Sequence, residues 1–197
     1  MAEHTFLFAD LVGFTALTDS EGDDRAADVA LGMYDCVRGL LPRYDAEELK
    51  TLGDGVALRC DRADKGIELA VSLVEELDAK PSFPPVRVGV HTGPAVERDG
   101  DWYGRTVNVA SRLCTAAGGG EALVSEHARE LAGKLRNVEF SERRLHWLRN
   151  VTEPIPAHVA SPRRQPLPER LAAPVRRALA PRSQRCSAGL QPGVVGR

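Results

Sequence analysis

An α+β fold with a ferredoxin-like β-α-β-β-α-β core is what this 197-residue chain predicts, on three observations. A first apolar run, two amphipathic stripes at helical spacing and alternating stretches between them occur in that order. Glycines on either side of Asp54 mark a hairpin, and Pro42 and Pro81 close the two helical stripes. Such a series builds an antiparallel-rich sheet with helices packed against one face, and it leaves chain for extra strands and helices.

His4 to Leu11 (HTFLFADL) is apolar and aromatic enough for a buried strand, ending in a loop at Val12-Gly13. One helix follows, since Ala30, Met33, Tyr34, Val37, Leu40 and Leu41 recur at helical spacing up to Pro42. Glu47 to Cys60 divides into two short strands around Leu52-Gly53-Asp54-Gly55, whose glycines permit a tight turn. Ile67, Ala70, Val71, Val74 and Leu77 form the second stripe, and Val86-Arg87-Val88-Gly89-Val90 alternates as a strand. After a loop at 97–103, Thr106 to Ala117 reads as a helix, Ala122-Leu123-Val124 as a strand and His127 to Lys134 as a short helix. Strands near 137–146 and 155–159 finish the sheet.

Charge divides the chain. Residues 1–161 carry 18 Lys+Arg against 27 Asp+Glu, a net of −9, and 162–197 carry eight Arg against one Glu, a net of +7, together the −2 of the whole. The second stretch has six prolines and only scattered apolar residues, so 1–161 is expected to be one domain and 162–197 a disordered Arg/Pro-rich tail. An acidic body argues against a nucleic-acid-binding module. No apolar run reaches the roughly 18 residues of a membrane span, and the start is no signal peptide, so a cytoplasmic protein is expected. Cys36, Cys60, Cys114 and Cys186 show no metal-ligand spacing and read as small apolar residues.

Three constellations could carry chemistry. Phe8-Ala9-Asp10-Leu11-Val12-Gly13-Phe14-Thr15 puts a carboxylate at a strand end before a glycine turn into a helix start, where backbone N–H groups face an anion beside a hard cation. Lys50-Thr51-Leu52-Gly53-Asp54-Gly55 puts a second carboxylate on a turn. If their strands are neighbours, Asp10 and Asp54 could share two Mg²⁺ ions roughly 3.5–4 Å apart. In Asp101-Trp102-Tyr103-Gly104-Arg105-Thr106-Val107-Asn108-Val109-Ala110-Ser111-Arg112, Asn108 and Arg112 project from one helix face, where an amide and a guanidinium suit a ribose and a phosphoryl group. Taken singly, each has an ordinary structural explanation: a solvated turn aspartate, or an Asn–Arg pair on a helix surface.

Together FADLVGFT (8–15), KTLGDGVAL (50–58), VGVHTGP (88–94) and DWYGRTVNVASRL (101–113) make the chain resemble the class III adenylyl and guanylyl cyclases, over about residues 5–160. A GxxxxGK[ST] loop and a GGDEF word are absent. The resemblance implies that Asp10 and Asp54, with the carbonyl of Leu11, hold two Mg²⁺ or Mn²⁺ ions. It implies that Gly13, Phe14 and Thr15 offer backbone N–H groups to the triphosphate, that Lys50 and Asp101 read adenine, and that Asn108 orients the ribose while Arg112 stabilises the transition state. Arg149 falls where the family often has a triphosphate-binding lysine in Leu-Lys-Gly, with both lysine and glycine replaced here.

An ammonium and a carboxylate match the N1 acceptor and exocyclic amine of adenine, whereas guanine reverses both. The guanylyl members typically carry Glu and Cys at these places. The implied activity is conversion of ATP to 3′,5′-cyclic AMP and pyrophosphate at the two interfacial sites of a homodimer. The alternatives are a weakly catalytic cyclase-homology domain serving as a nucleotide-binding or interaction module, and a guanylyl cyclase. The segment from Gly93 to Asp101 is shorter than in the mammalian enzymes, which trims the arm that clasps the partner.

Overall fold

A computed structural model describes residues 2–163. The elements are β1 (Glu3–Leu11), α1 (Phe14–Glu21), α2 (Asp23–Leu40), a 3-10 turn (Leu41–Tyr44), β2 (Ala46–Thr51), β3 (Gly55–Cys60), α3 (Ala63–Asp78), β4 (Val86–Pro94), β5 (Val96–Arg98) and β6 (Asp101–Tyr103). They continue with α4 (Arg105–Ala116), β7 (Ala122–Ser125), α5 (Glu126–Ala132), β8 (Val138–Phe140), β9 (Arg144–His146) and β10 (Ile155–Pro162). The main sheet runs β2-β3-β1-β4-β7-β10-β8, with β9 also on β10. Its first four strands take the predicted ferredoxin-like order, all antiparallel, and β4–β7 is a parallel pair.

The helices pack on both faces of the sheet, where the sequence pattern suggests one. Leu7, Leu11, Leu58, Val88 and Val90 face α2 and α3 and meet Met33, Val37, Ile67 and Leu73. On the opposite face Val109, Leu113, Leu123 and Leu148 form a second cluster under α4. Gly89 explains the approach of α4: a Cβ there would lie 2.0 Å from the amide nitrogen of Cys114 and 2.5 Å from the carbonyl of Ala110. A strand without a side chain at that point lets a helix backbone rest on it.

Three further boundaries differ from expectation. The single first helix is two, because Gly22 at φ 87°, ψ 167° cannot continue a helix and its N–H closes on the carbonyl of Thr18. The loop at 97–103 is a hairpin of β5 and β6, whose Asp99 (φ 53°) and Gly100 (φ 77°) make the left-handed two-residue turn that Asp-Gly favours. The last strand passes the expected domain end at Ser161: β10 reaches Pro162, and the Arg163 N–H donates to the carbonyl of Asn137 at 2.8 Å. The rest of the expected Arg/Pro-rich tail lies outside the described residues.

Cys36, Cys60 and Cys114 are buried and free, and burial pushes the thiols of Cys60 and Cys114 up to about 12. They are small apolar residues, as expected; Cys186 lies outside the described residues. No helix among the described residues is long and apolar enough to cross a membrane.

Candidate active site

The β1–β3 register places Asp10 opposite Gly55, so the carboxylate of β1 and that of the Gly53-Asp54-Gly55 turn come side by side. The Leu11 N–H donates to the carbonyl of Asp54 at 3.1 Å, which ties the turn to the strand end. Tyr34 on α2 donates its hydroxyl to the Gly53 carbonyl and fixes the turn from the other side. Burial, and then the charge of Asp10, raise the Asp54 carboxyl above the ordinary carboxylate range. A carboxylate with a second one beside it is a place where positive charge is stabilised.

Arg87 supplies such charge in the chain itself. Its Nε donates to Asp10 Oδ2 at 2.9 Å, and its Nη1 reaches the Thr115 carbonyl at the end of α4 at 3.3 Å. Apolar alternation alone reads Val86 to Val90 as a strand and does not single out this residue. A signal is nevertheless present: in an alternating apolar strand, an arginine two residues from Gly89 shares the face on which Asp10 ends.

At the start of α1, Gly13 takes φ 80° and caps without a side-chain hydrogen bond. The N–H groups of Gly13, Phe14 and Thr15 make no backbone hydrogen bond among the described residues, as the first turn of any helix requires unless something else accepts them.

Lys50 and Asp101 meet directly, with Nζ 2.7 and 2.9 Å from the two carboxylate oxygens. The hydrogen bond from Lys50, and then that from the Trp102 N–H, hold the Asp101 carboxyl below the usual range. A β-bulge makes the contact possible. Glu48 pairs with Leu58, and the next pair is Lys50 with Ala57, so Leu49 is the extra residue. Without it Lys50 would oppose Val56, whose side chain faces α2 and α3. One extra residue turns Lys50 to the face that carries Asp10.

Asn108 and Arg112 lie on the outer side of α4, Asn108 exposed and Arg112 half-buried, while Val109, Ala110 and Leu113 bury the inner side. Neither side chain makes a hydrogen bond or salt bridge among the described residues, to Asp10, Asp54, Lys50 or any other group. Arg149 is exposed in the turn after β9, next to the buried Leu148 that packs under α4. Asn150 takes φ 61°, the left-handed conformation in which asparagine is the usual substitute for glycine, so losing the family's glycine leaves this turn intact. The structure therefore brings together Asp10 with Asp54, Lys50 with Asp101, and Asn108 with Arg112. No hydrogen bond or salt bridge joins the last pair to the others among the described residues.

The donor set at Asp10 and Asp54 fits a hard divalent cation. The described residues hold no group of three or more His, Cys, Asp or Glu side chains placed for a metal. Two neighbouring carboxylates at a strand end suit Mg²⁺, which takes one or two carboxylates plus substrate phosphates instead of a protein cage.

The family model of the adenylate and guanylate cyclase catalytic domain matches residues 1–149. The chain belongs to that family. A pH-sensitive adenylate cyclase of Mycobacterium tuberculosis is 39% identical over 129 residues, which cover 66% of this chain and 32% of that protein. An adenylate cyclase of Streptomyces griseus is 37% identical over 110 residues, covering 56% and 28%. The chain spans about a third of the length of the curated relatives it matches. The crystal structure of the adenylyl cyclase CyaB from P. aeruginosa superposes with a TM-score of 0.71 at 20% identity, covering 84% of this chain and 97% of that one. The guanylate cyclase domain of RhGC from Catenaria anguillulae, in complex with GTP, gives 0.71 at 18%, covering 83% and 98%. At these identities the two structures establish the fold, which both base specificities share.

Proposed function

We propose that the chain is an adenylyl cyclase that converts ATP to 3′,5′-cyclic AMP and pyrophosphate at two sites of a homodimer. The observation that carries the reading is the Lys50–Asp101 pair, a donor beside an acceptor, on the sheet face that ends in Asp10. The matched relatives named adenylate cyclase support the same choice of base.

Domains of this family are metal-dependent, and Asp10, Asp54 and the carbonyl of Leu11 are the ligands proposed for two Mg²⁺ or Mn²⁺ ions. When bound, the ions supply Lewis-acid neutralisation of phosphate charge and lower the pKa of a coordinated hydroxyl. The chain's own residues do the rest. Lys50 donates to adenine N1 and Asp101 accepts from the exocyclic amine; guanine leaves both groups unmatched, the kind of mismatch that discriminates between bases. The N–H groups of Gly13, Phe14 and Thr15 receive triphosphate oxygens, with Arg149 as a further cation. Arg87 already holds Asp10 and stands ready to balance phosphate charge at the same place.

In the reaction the ribose 3′-hydroxyl gives up its proton to water or a substrate phosphate oxygen, and its oxygen bonds to the α-phosphorus as the bond to pyrophosphate breaks. Asn108 orients the ribose for in-line attack, and Arg112 meets the charge that grows on the α-phosphate. Since Asn108 and Arg112 face outward from α4, these residues, together with the base-reading Lys50 and Asp101 of the same chain, are proposed to complete the carboxylate site of a second copy. A head-to-tail pair of this kind closes with two equal sites.

Incubating the purified protein with Mn²⁺ and either ATP or GTP, and measuring both cyclic nucleotides, tests the reading. Cyclic AMP with little cyclic GMP is expected. Cyclic GMP as the main product would make the chain a guanylyl cyclase, and nucleotide binding without turnover would make it a binding module.

A further inference from the structure

The hairpin that carries Asp101 stands apart from the main sheet. β5 and β6 form a two-stranded sheet of their own, with three residues in each strand. A hairpin of that size is marginal in water by itself. Val96, Glu97, Arg98 and Tyr103 are exposed, and only Asp101 and Trp102 are half-buried. Whatever sets the position of Asp101 therefore acts largely through Trp102.

The Trp102 ring is held on three sides. His4 meets it edge-on with ring centroids 4.6 Å apart, Phe6 does so at 5.6 Å, and the Arg59 guanidinium lies 4.8 Å from its centroid. Arg59 is in turn fixed. Its Nη1 is 2.7 Å from His4 Nδ1, its Nε donates to Glu47, and it pairs with Asp61. Arg59 opposes Phe6 on β1 and Glu47 on β2, so one row across three strands forms the floor beneath the indole. From the other end of the residue, the Trp102 N–H donates to Asp101 Oδ1 at 2.8 Å.

We infer that the Arg59–Trp102 stack is a specificity-determining positioning device: it fixes the β5–β6 hairpin so that Asp101 meets Lys50 at the spacing a purine edge requires. The inference rests on the assignment of Lys50 and Asp101 as base readers. Neither Arg59 nor Trp102 is asked to touch the substrate. A guanidinium over an indole face adds electrostatic attraction to the packing, which an aliphatic contact does not. The row of Arg59 lies two residues along β3 from Ala57, the partner of Lys50, so stack and reading pair are adjacent on one face.

The test uses the full chain and its Arg59→Met, Trp102→Ala, Trp102→Phe and Arg59→Met/Trp102→Ala variants, with Lys50→Glu/Asp101→Cys as reference. Steady-state kinetics with ATP and GTP give KM, kcat and the ATP:GTP ratio of kcat/KM. Equilibrium binding of a nonhydrolysable ATP analogue supplies an affinity independent of turnover, and thermal unfolding reports the fold. Arg59→Met and Trp102→Ala are expected to weaken ATP affinity and raise KM about fivefold to twentyfold, the size a partly desolvated cation–π contact supports. They should narrow the ATP:GTP ratio with kcat nearly kept, and Trp102→Phe should restore most of the ratio. The double variant should be no worse than Trp102→Ala, because Arg59 acts through the ring.

An unchanged ATP:GTP ratio in both single variants, or additive losses in the double variant, overturns the inference if the reference variant does shift the ratio. If the reference variant also leaves the ratio unchanged, the base-reading assignment itself fails and takes the inference with it. Should Trp102→Ala not fold, Arg59→Met and Trp102→Phe carry the same comparison.

Discussion

The carboxylate end of the sheet and the outer face of α4 are built on opposite terms. At the first, Asp10 has Arg87 and the Asp54 turn has Leu11 and Tyr34, all from the same chain. On the second, Asn108 and Arg112 have no hydrogen-bonding partner among the described residues. Charges that must be stored close together need neutralising inside the fold, or they destabilise it. A guanidinium on a wet helix face costs little to leave free, and it keeps its full strength for a charge that arrives from outside. The difference suggests which part of the proposed site each copy prepares and which it lends.

The largest expected effects break that division of labour. Asp10→Ala should abolish cyclic AMP formation, and Arg112→Ala should lower kcat by about 10²–10³, as removal of one preorganised oxyanion donor does. If the two regions serve different copies, co-expressing these inactive and impaired chains restores one intact site in each mixed dimer. Random association then gives about a quarter of wild-type activity in the unseparated mixture, and mixed dimers purified through two different tags give about half. No recovery in verified mixed dimers means each chain builds its own site.

The base-reading pair comes next. Lys50→Glu with Asp101→Cys should reduce the preference for ATP over GTP by at least about tenfold, since the exchange reverses the hydrogen-bond pattern and leaves the carboxylates of Asp10 and Asp54 alone. A parallel assay with both nucleotides checks it, and an unaltered preference removes both residues from base recognition.

Arg87 sharpens the comparison by a smaller amount. Its pair with Asp10 is about a quarter exposed, with side-chain accessibilities of 28% and 25%, so screening takes part of its strength. Arg87→Met should lower the unfolding midpoint in chelator by roughly 2–8 °C, and excess Mn²⁺ should return most of it, because a cation at the carboxylates does what the guanidinium did. Equal loss with and without Mn²⁺ would show that Arg87 matters for packing instead.

The smallest effect lies outside both regions and serves as their control. Hydrogen bonds from Arg129, and then from His158, hold the Glu126 carboxyl down to about 2. Its folded value is below the ordinary 4.5, so the stability it contributes is present above about pH 4.5 and is lost as pH falls towards 2. Glu126→Gln should lower the midpoint by roughly 2–6 °C at neutral pH, converge on the wild type in acid, and leave cyclase kinetics unchanged.

Patterns that are local in the chain are legible in the amino-acid sequence. Strand β1, the stripes of α2 and α3 and the hairpin at Asp54 follow from apolar periodicity and from glycine and proline, because backbone preference and burial act over a few residues. The motif words point to the family and to nearly every candidate site residue, and the Asp99-Gly100 turn is a local signal of the same kind. Other features depend on what meets what across the sheet. The bulge at Leu49 that turns Lys50 towards Asp101, the arrival of α4 on the face left bare by Gly89, the Arg87–Asp10 pair and the Arg59–Trp102 stack each join residues far apart in the chain. No local preference encodes them, since each arises only when strand register decides which side chains share a face. By itself the sequence determined most of the elements, the family and the residues available for chemistry. The tertiary structure alone decided which of them stand together, because a pleated sheet assigns faces by register, and a single extra residue reverses the assignment.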